Sequence, residues 1–99
     1  IQTLVVAQER DAYCLTDRGT YITWEARFDD EPPLVILVEG DPALRNQYSI
    51  IAVNPDKCGN VKRDLAQAFI DWIVSPGTQK LIADFTLLGK QLFIPNAVE

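Results

Sequence analysis

Histidine is absent from the 99 residues of this chain. That removes Ser-His-Asp and Cys-His catalysis, and any zinc site that draws on imidazole. Cysteine is nearly absent: Cys14 and Cys58 are the two present, too few for a four-thiolate metal site. They could form one disulfide, but Cys14 falls in a strand-like run and Cys58 in a loop with proline and glycine, and sequence alone does not bring them together. Long apolar runs are missing as well. The longest, Leu34 to Val38, has five residues, far below the ~20 needed to span a bilayer. Cations are scarce, with nine Lys and Arg against fourteen Asp and Glu and a formal charge of −5. This balance argues against nucleic acid as a partner. A small anion site stays open, because it depends on a few local donors rather than on the summed field. The chain starts at Ile1 without a methionine and shows no signal peptide, so its N-terminus reads as processed or cut.

What is present is ordinary globular material, 47% hydrophobic and 23% charged, enough for one modest domain or part of a larger one. Ile1, Leu4, Val5 and Ala12 follow a rough helical spacing. No capping residue precedes Ile1, so this helix reads as starting in mid-element. Ala12 to Leu15 predicts a short buried strand, and Thr16 to Arg27 a helix with Tyr21, Ile22 and Trp24 as apolar contacts. Asp29-Asp30-Glu31-Pro32-Pro33 is an acidic, proline-rich break. Leu34 to Val38 predicts a strand buried on both faces, and Tyr48 to Val53 another, ended by Asn54-Pro55. The clearest helix follows, with Asn60 as cap and an apolar stripe of Leu65, Ala68, Phe69, Trp72 and Ile73 that reads as core. Ser75-Pro76 ends it and caps the next helix, whose Leu81, Ile82 and Phe85 face inward. Gly89 is expected to stop that helix, leaving Gln91 to Pro95 as an extended tail. The fold class is α/β, a sheet flanked by helices, with too few strands for its helices and members of the sheet missing.

The segment "YCLTDRGTY" (13–21) carries the sharpest functional signal. The leading N–H groups of a helix carry partial positive charge and favour an anion. Gly19 permits close backbone approach, Thr20 offers a hydroxyl, and Arg18 offers a fork of donors suited to a tetrahedral oxyanion. Thr16 stands at the same turn. The plainer alternative is that Thr16 or Asp17 caps the helix while Arg18 pairs with Asp17, Glu25 or Asp29. Asp17 itself would repel a bound dianion, and is better used on the backbone N–H groups of the turn. Glu39-Gly40-Asp41-Pro42 places two carboxylates two apart, as in a metal loop, but reads more simply as a surface turn. No metal or cofactor is implied. Scattered Asp and Glu could be imagined as the acid and base of a hydrolase, but no nucleophile accompanies them.

Three stretches occur in order: "AYCLTDRGTY", "LVILVEGDP...N.Y.IIAVNP" and "AFIDWIVSPGTQKLIADF...G.QLFIPNA". Together they resemble the periplasmic tungstate-binding proteins of ABC transporters, within the type II periplasmic solute-binding fold, and the resemblance covers nearly the whole chain. It implies a two-lobed protein that closes on an oxyanion, of which this chain is the C-terminal portion with the N-terminal half missing. Residues 1–53 would belong to the second lobe, with a cleft-facing strand-to-helix turn, and residues 54–99 to helices returning to the first. By the same resemblance Thr16, Arg18, Gly19, Thr20 and Tyr48 become ligand-binding candidates.

The implied function is non-catalytic: a solute-binding component of an ABC importer, located in the periplasm or otherwise outside the cytoplasmic membrane. It would take tungstate, or a related oxyanion such as molybdate, and hand it to the membrane subunits. The same lobes also serve as oxyanion-sensing domains of regulators. As a truncated chain the 99 residues could also pair into a dimer through strand edges and apolar faces.

Overall fold

The computed structural model describes residues 1–29 and 31–97, so Asp30 of the acidic break and the last two positions, Val98 and Glu99, lie outside the described residues. In chain order the elements are α1 (Gln2–Glu9), α2 (Arg18–Glu25), a 3-10 turn (Pro42–Leu44), α3 (Arg63–Ile73), α4 (Pro76–Asp84), β1 (Thr86–Leu87) and β2 (Lys90–Gln91). Two compact units divide the chain. One comprises Ile1–Arg45 with Thr86–Leu92, the other Asn46–Phe85 with Phe93–Glu99.

The first unit owns a true core. Leu4 of α1, with Tyr21 and Trp24 of α2, forms a buried cluster against which Phe28 and Leu34 pack. Leu4 and Ala7 stand one helical turn apart and are the buried face of α1, while Ile1 is 42% exposed. Tyr21, Trp24 and Phe28 repeat at three and four residues, which puts their rings on one side of the chain. Ring centroids lie 5.8 Å apart for Tyr21 and Trp24 and 4.8 Å for Trp24 and Phe28. Trp24 is 1% exposed. The Tyr21 hydroxyl donates to the Leu34 carbonyl at 3.0 Å, tying α2 to the start of the apolar run. The anticipated contacts Tyr21, Ile22 and Trp24 are all buried.

The first unit also holds a hairpin the sequence did not disclose. Gly89 was expected to end a helix, but α4 already stops at Asp84, where Phe85 turns to an extended conformation (φ −67°, ψ 128°). Thr86 then pairs with Gln91, and Leu87 with Lys90, in antiparallel register. The two loop residues, Leu88 and Gly89, both have positive φ, 51° and 79°, the requirement of a type I′ turn. Gln91 is therefore part of a strand rather than of an extended tail.

In the second unit α3 packs against α4. Ser75 caps α4 as expected, its Oγ accepting from the Thr78 N–H while also donating to the Trp72 carbonyl, and Pro76 takes the first helical position. The cap of α3 is Lys62 rather than Asn60 and supplies no side-chain bond; Asp64 in the first turn complements the helix dipole instead. The α3 stripe is not closed core, since Leu65, Phe69 and Trp72 are 67%, 50% and 52% exposed. Across the described part of this unit only Thr78 is buried.

The three anticipated strands are not strands here. Residues 12–15, 34–38 and 48–53 join no ladder, and the only sheet among the described residues is β1–β2. Nor is the Leu34–Val38 run buried on both faces: Val35, Ile36, Leu37 and Val38 are 48% to 68% exposed. A strand exists only by pairing, and these segments find no partner among the described residues. Cys14 and Cys58 are both free and exposed.

Candidate functional site

The turn into α2 is built by Asp17. Its backbone is extended (φ −81°, ψ 159°), and its carboxylate accepts both the Thr20 N–H (3.1 Å) and the Thr20 hydroxyl (2.6 Å). Those bonds, the side-chain one first, hold the Asp17 carboxyl below the usual carboxylate range. Asp17 thus satisfies the turn rather than facing a ligand, one of the two uses the sequence suggested. The helix begins one residue later, at Arg18.

Arg18 is paired, but not with any of the carboxylates considered from sequence. Its Nη2 lies 3.1 Å from Oε2 of Glu39, with the two side chains 46% and 56% exposed. Glu25 meets Lys90 of β2 instead. Both ion pairs border one open cavity of about 280 Å3, walled by Tyr21, Ile22 and Ile36. The Tyr21 phenol is pushed above its ordinary range, by burial first and by the Glu25 charge second.

A Cβ at Gly19 would lie 3.3 Å from Leu92 Cδ1, a tight contact that asks the leucine to give by a few tenths of an ångström, and at ordinary contact distance from Asp17 Oδ2 (3.5 Å) and Leu87 Cδ2 (4.0 Å). The Thr20 hydroxyl spends its proton on Asp17. Among the described residues, the donors of this turn left unspent are consequently the Arg18 and Gly19 N–H groups, which have no intrahelical acceptor, and the remaining N–H groups of the Arg18 guanidinium. Thr16 is half-buried beside them in the chain.

Tyr48 belongs to the second unit. It is 69% exposed, with its ring edge-to-face on Phe93 at 5.7 Å. Its neighbour Gln47 exchanges amide hydrogen bonds with Asn96 at 2.7 and 3.2 Å. The structure therefore gathers Thr16, Arg18, Gly19 and Thr20 at one turn of the first unit, and anchors Tyr48 in the second. The second unit also carries a groove of about 260 Å3, lined by Trp72, Leu81, Phe85 and Phe93 among others. Its walls are apolar and offer an anion nothing.

Sequence reasoning missed Glu39 as the partner of Arg18 and the hairpin as the packing partner of Gly19. Glu39 was weighed only as part of a metal loop with Asp41, whose carboxylate instead caps the 3-10 turn by accepting the Ala43 N–H at 2.8 Å. The available signal was positional: Glu39 directly follows an apolar run, where a chain returning along a helix meets that helix's first turn.

Comparison with known proteins places this geometry in context. The profile of a family described as a PBP superfamily domain matches residues 1–77. The tungstate-binding protein TupA of Campylobacter jejuni subsp. jejuni is 47% identical over 97 residues, covering 98% of this chain and 36% of that protein. TupA of Peptoclostridium acidaminophilum is 43% identical over 98 residues, covering 97% of this chain and 33% of that protein. The chain thus spans about a third of the length of the curated relatives it matches. Among solved structures, the tungstate-binding protein TupA of Desulfovibrio alaskensis G20 superimposes with a TM-score of 0.92 at 59% identity, over 98% of this chain and 39% of that one.

Proposed function

Because this chain belongs to the PBP superfamily, we propose that it is part of a solute-binding protein that captures tungstate, or a related tetrahedral oxyanion such as molybdate, for an ABC importer. The observation that carries this reading is the match to a tungstate-binding protein at 59% identity and a TM-score of 0.92 across 98% of the chain. The protein works outside the cytoplasmic membrane, is not an enzyme, and passes its cargo to the membrane subunits.

Capture is by closure of two lobes on the anion, with residues 1–53 in one lobe and residues 54–99 returning to the other. At the α2 turn the Arg18 and Gly19 N–H groups and the Arg18 guanidinium are the donors, with Thr16 beside them. Thr20 contributes through Asp17, whose charge its two hydrogen bonds offset. Tyr48, also within residues 1–53, is the remaining candidate contact. Since a closing site needs both walls, the 99 residues alone hold only part of it, and their exposed apolar runs favour self-association when the rest of the protein is absent.

Isothermal titration of the full-length protein with tungstate, molybdate, sulfate and phosphate tests the proposal. Tungstate is expected to bind tightly and the isolated 99-residue chain to bind it negligibly. No heat with any of the four anions from the full-length protein would sink the reading.

A further inference from the structure

The pairing of Arg18 bears on how the oxyanion site is regulated, provided that the proposed oxyanion function holds. Arg18 sits at the first position of α2, where the helix N–H groups point out of the element. Glu39 reaches this position from the end of the Leu34–Val38 run and meets the guanidinium through a single contact of 3.1 Å. Both side chains are about half exposed, so their attraction is weakened by water and is easily exchanged. On the other side of the same cavity the Lys90 ammonium is likewise held by Glu25. The cavity therefore presents its cations already neutralised.

We infer that Glu39 is an internal competitor for the oxyanion: it occupies the Arg18 guanidinium in the unliganded state and must be displaced, or repels the anion, when a tetrahedral dianion binds. A guanidinium has donors enough for two partners, but two anions on one fork repel each other at short range. Glu39 thus sets an affinity threshold. It keeps Arg18 ordered and weakens binding of every anion, most of all those that cannot compensate with strong contacts elsewhere in the site. Removing its charge frees the fork at little cost to the fold.

The test is Glu39→Gln in the full-length protein, with tungstate and sulfate titrated calorimetrically and Glu31→Gln, an exposed carboxylate of the same unit, as the charge control. The expected result is about three- to tenfold tighter binding of tungstate by E39Q and none of that gain in E31Q, because the repulsion is local. The gain should shrink as salt is raised from about 0.02 to about 0.5 M, where screening shortens the reach of the Glu39 charge. A merely structural role for Glu39 would loosen binding, the opposite sign. Equal or weaker tungstate binding by E39Q, with wild type binding normally, overturns the inference and leaves the oxyanion reading standing. An equal gain in E31Q also overturns it, since net charge would then be the cause. Absence of tungstate binding by the wild type would remove both.

Discussion

The two units of this chain spend similar apolar composition very differently. In the first, two short helices and the chain after them enclose Leu4, Tyr21 and Trp24, and every anticipated contact of α2 is buried. In the second, α3 and α4 form a regular pair whose largest residues stay half in water. α3 has the clearest amphipathic stripe in the chain, yet none of its residues is buried. A good stripe predicts that a helix forms and which face is apolar. It does not predict that anything lies against that face.

Paired tryptophans offer the largest test of this contrast. Trp24→Ala removes a ring that is 1% exposed and should cost about 3–5 kcal/mol of stability. Trp72→Ala removes one that is 52% exposed and should cost about 1 kcal/mol or less. Urea unfolding of the two variants reads both values, and equal costs would show that the second unit has a core this structure does not display. Tyr21→Phe is the next largest effect. It deletes the hydrogen bond to the Leu34 carbonyl, for about 1 kcal/mol, and should speed hydrogen exchange in α2 more than in α3.

An effect of similar size lies at Asp17, and it depends on pH. Because the folded state holds this carboxyl below its ordinary range, its contribution is present above the unfolded carboxylate pKa and is lost as pH falls through the lowered folded value. Asp17→Ala, which removes the cap, should therefore lower the Tm at pH 7, by the equivalent of about 1 kcal/mol. Near pH 2 the difference from wild type should narrow. A gap independent of pH would mean that the cap acts through shape rather than charge.

Much of the α2 turn was legible in the residues themselves. Asp17 was one of two candidate caps, and the structure makes its bond to the Thr20 N–H; the Thr20 hydroxyl, read as a donor for a ligand, is instead spent on Asp17. Ser75-Pro76 was equally plain, since a hydroxyl cap and a fixed φ are local properties. What stayed hidden were relations between distant segments. The hairpin joins Thr86 to Gln91, and its Leu87, with Leu92 just beyond it, packs beside Gly19. Asp17, Glu25 and Asp29 all stand near Arg18 in the chain, and the carboxylate used came from the end of another segment.

The strands mark the boundary most sharply. Leu34 to Val38 has the β-branched, apolar character of a buried strand, and that character is intrinsic to its side chains. Whether it becomes a strand depends on a second backbone, which the described residues do not supply. The sequence by itself determined the existence of the helices, the caps of α2 and α4, the acidic break and the absence of histidine chemistry, because each rests on neighbours within a few residues. Tertiary structure alone decided which apolar faces are covered, which carboxylate holds Arg18 and what packs beside Gly19. Those outcomes depend on which remote segments pack together, and no local propensity encodes that choice.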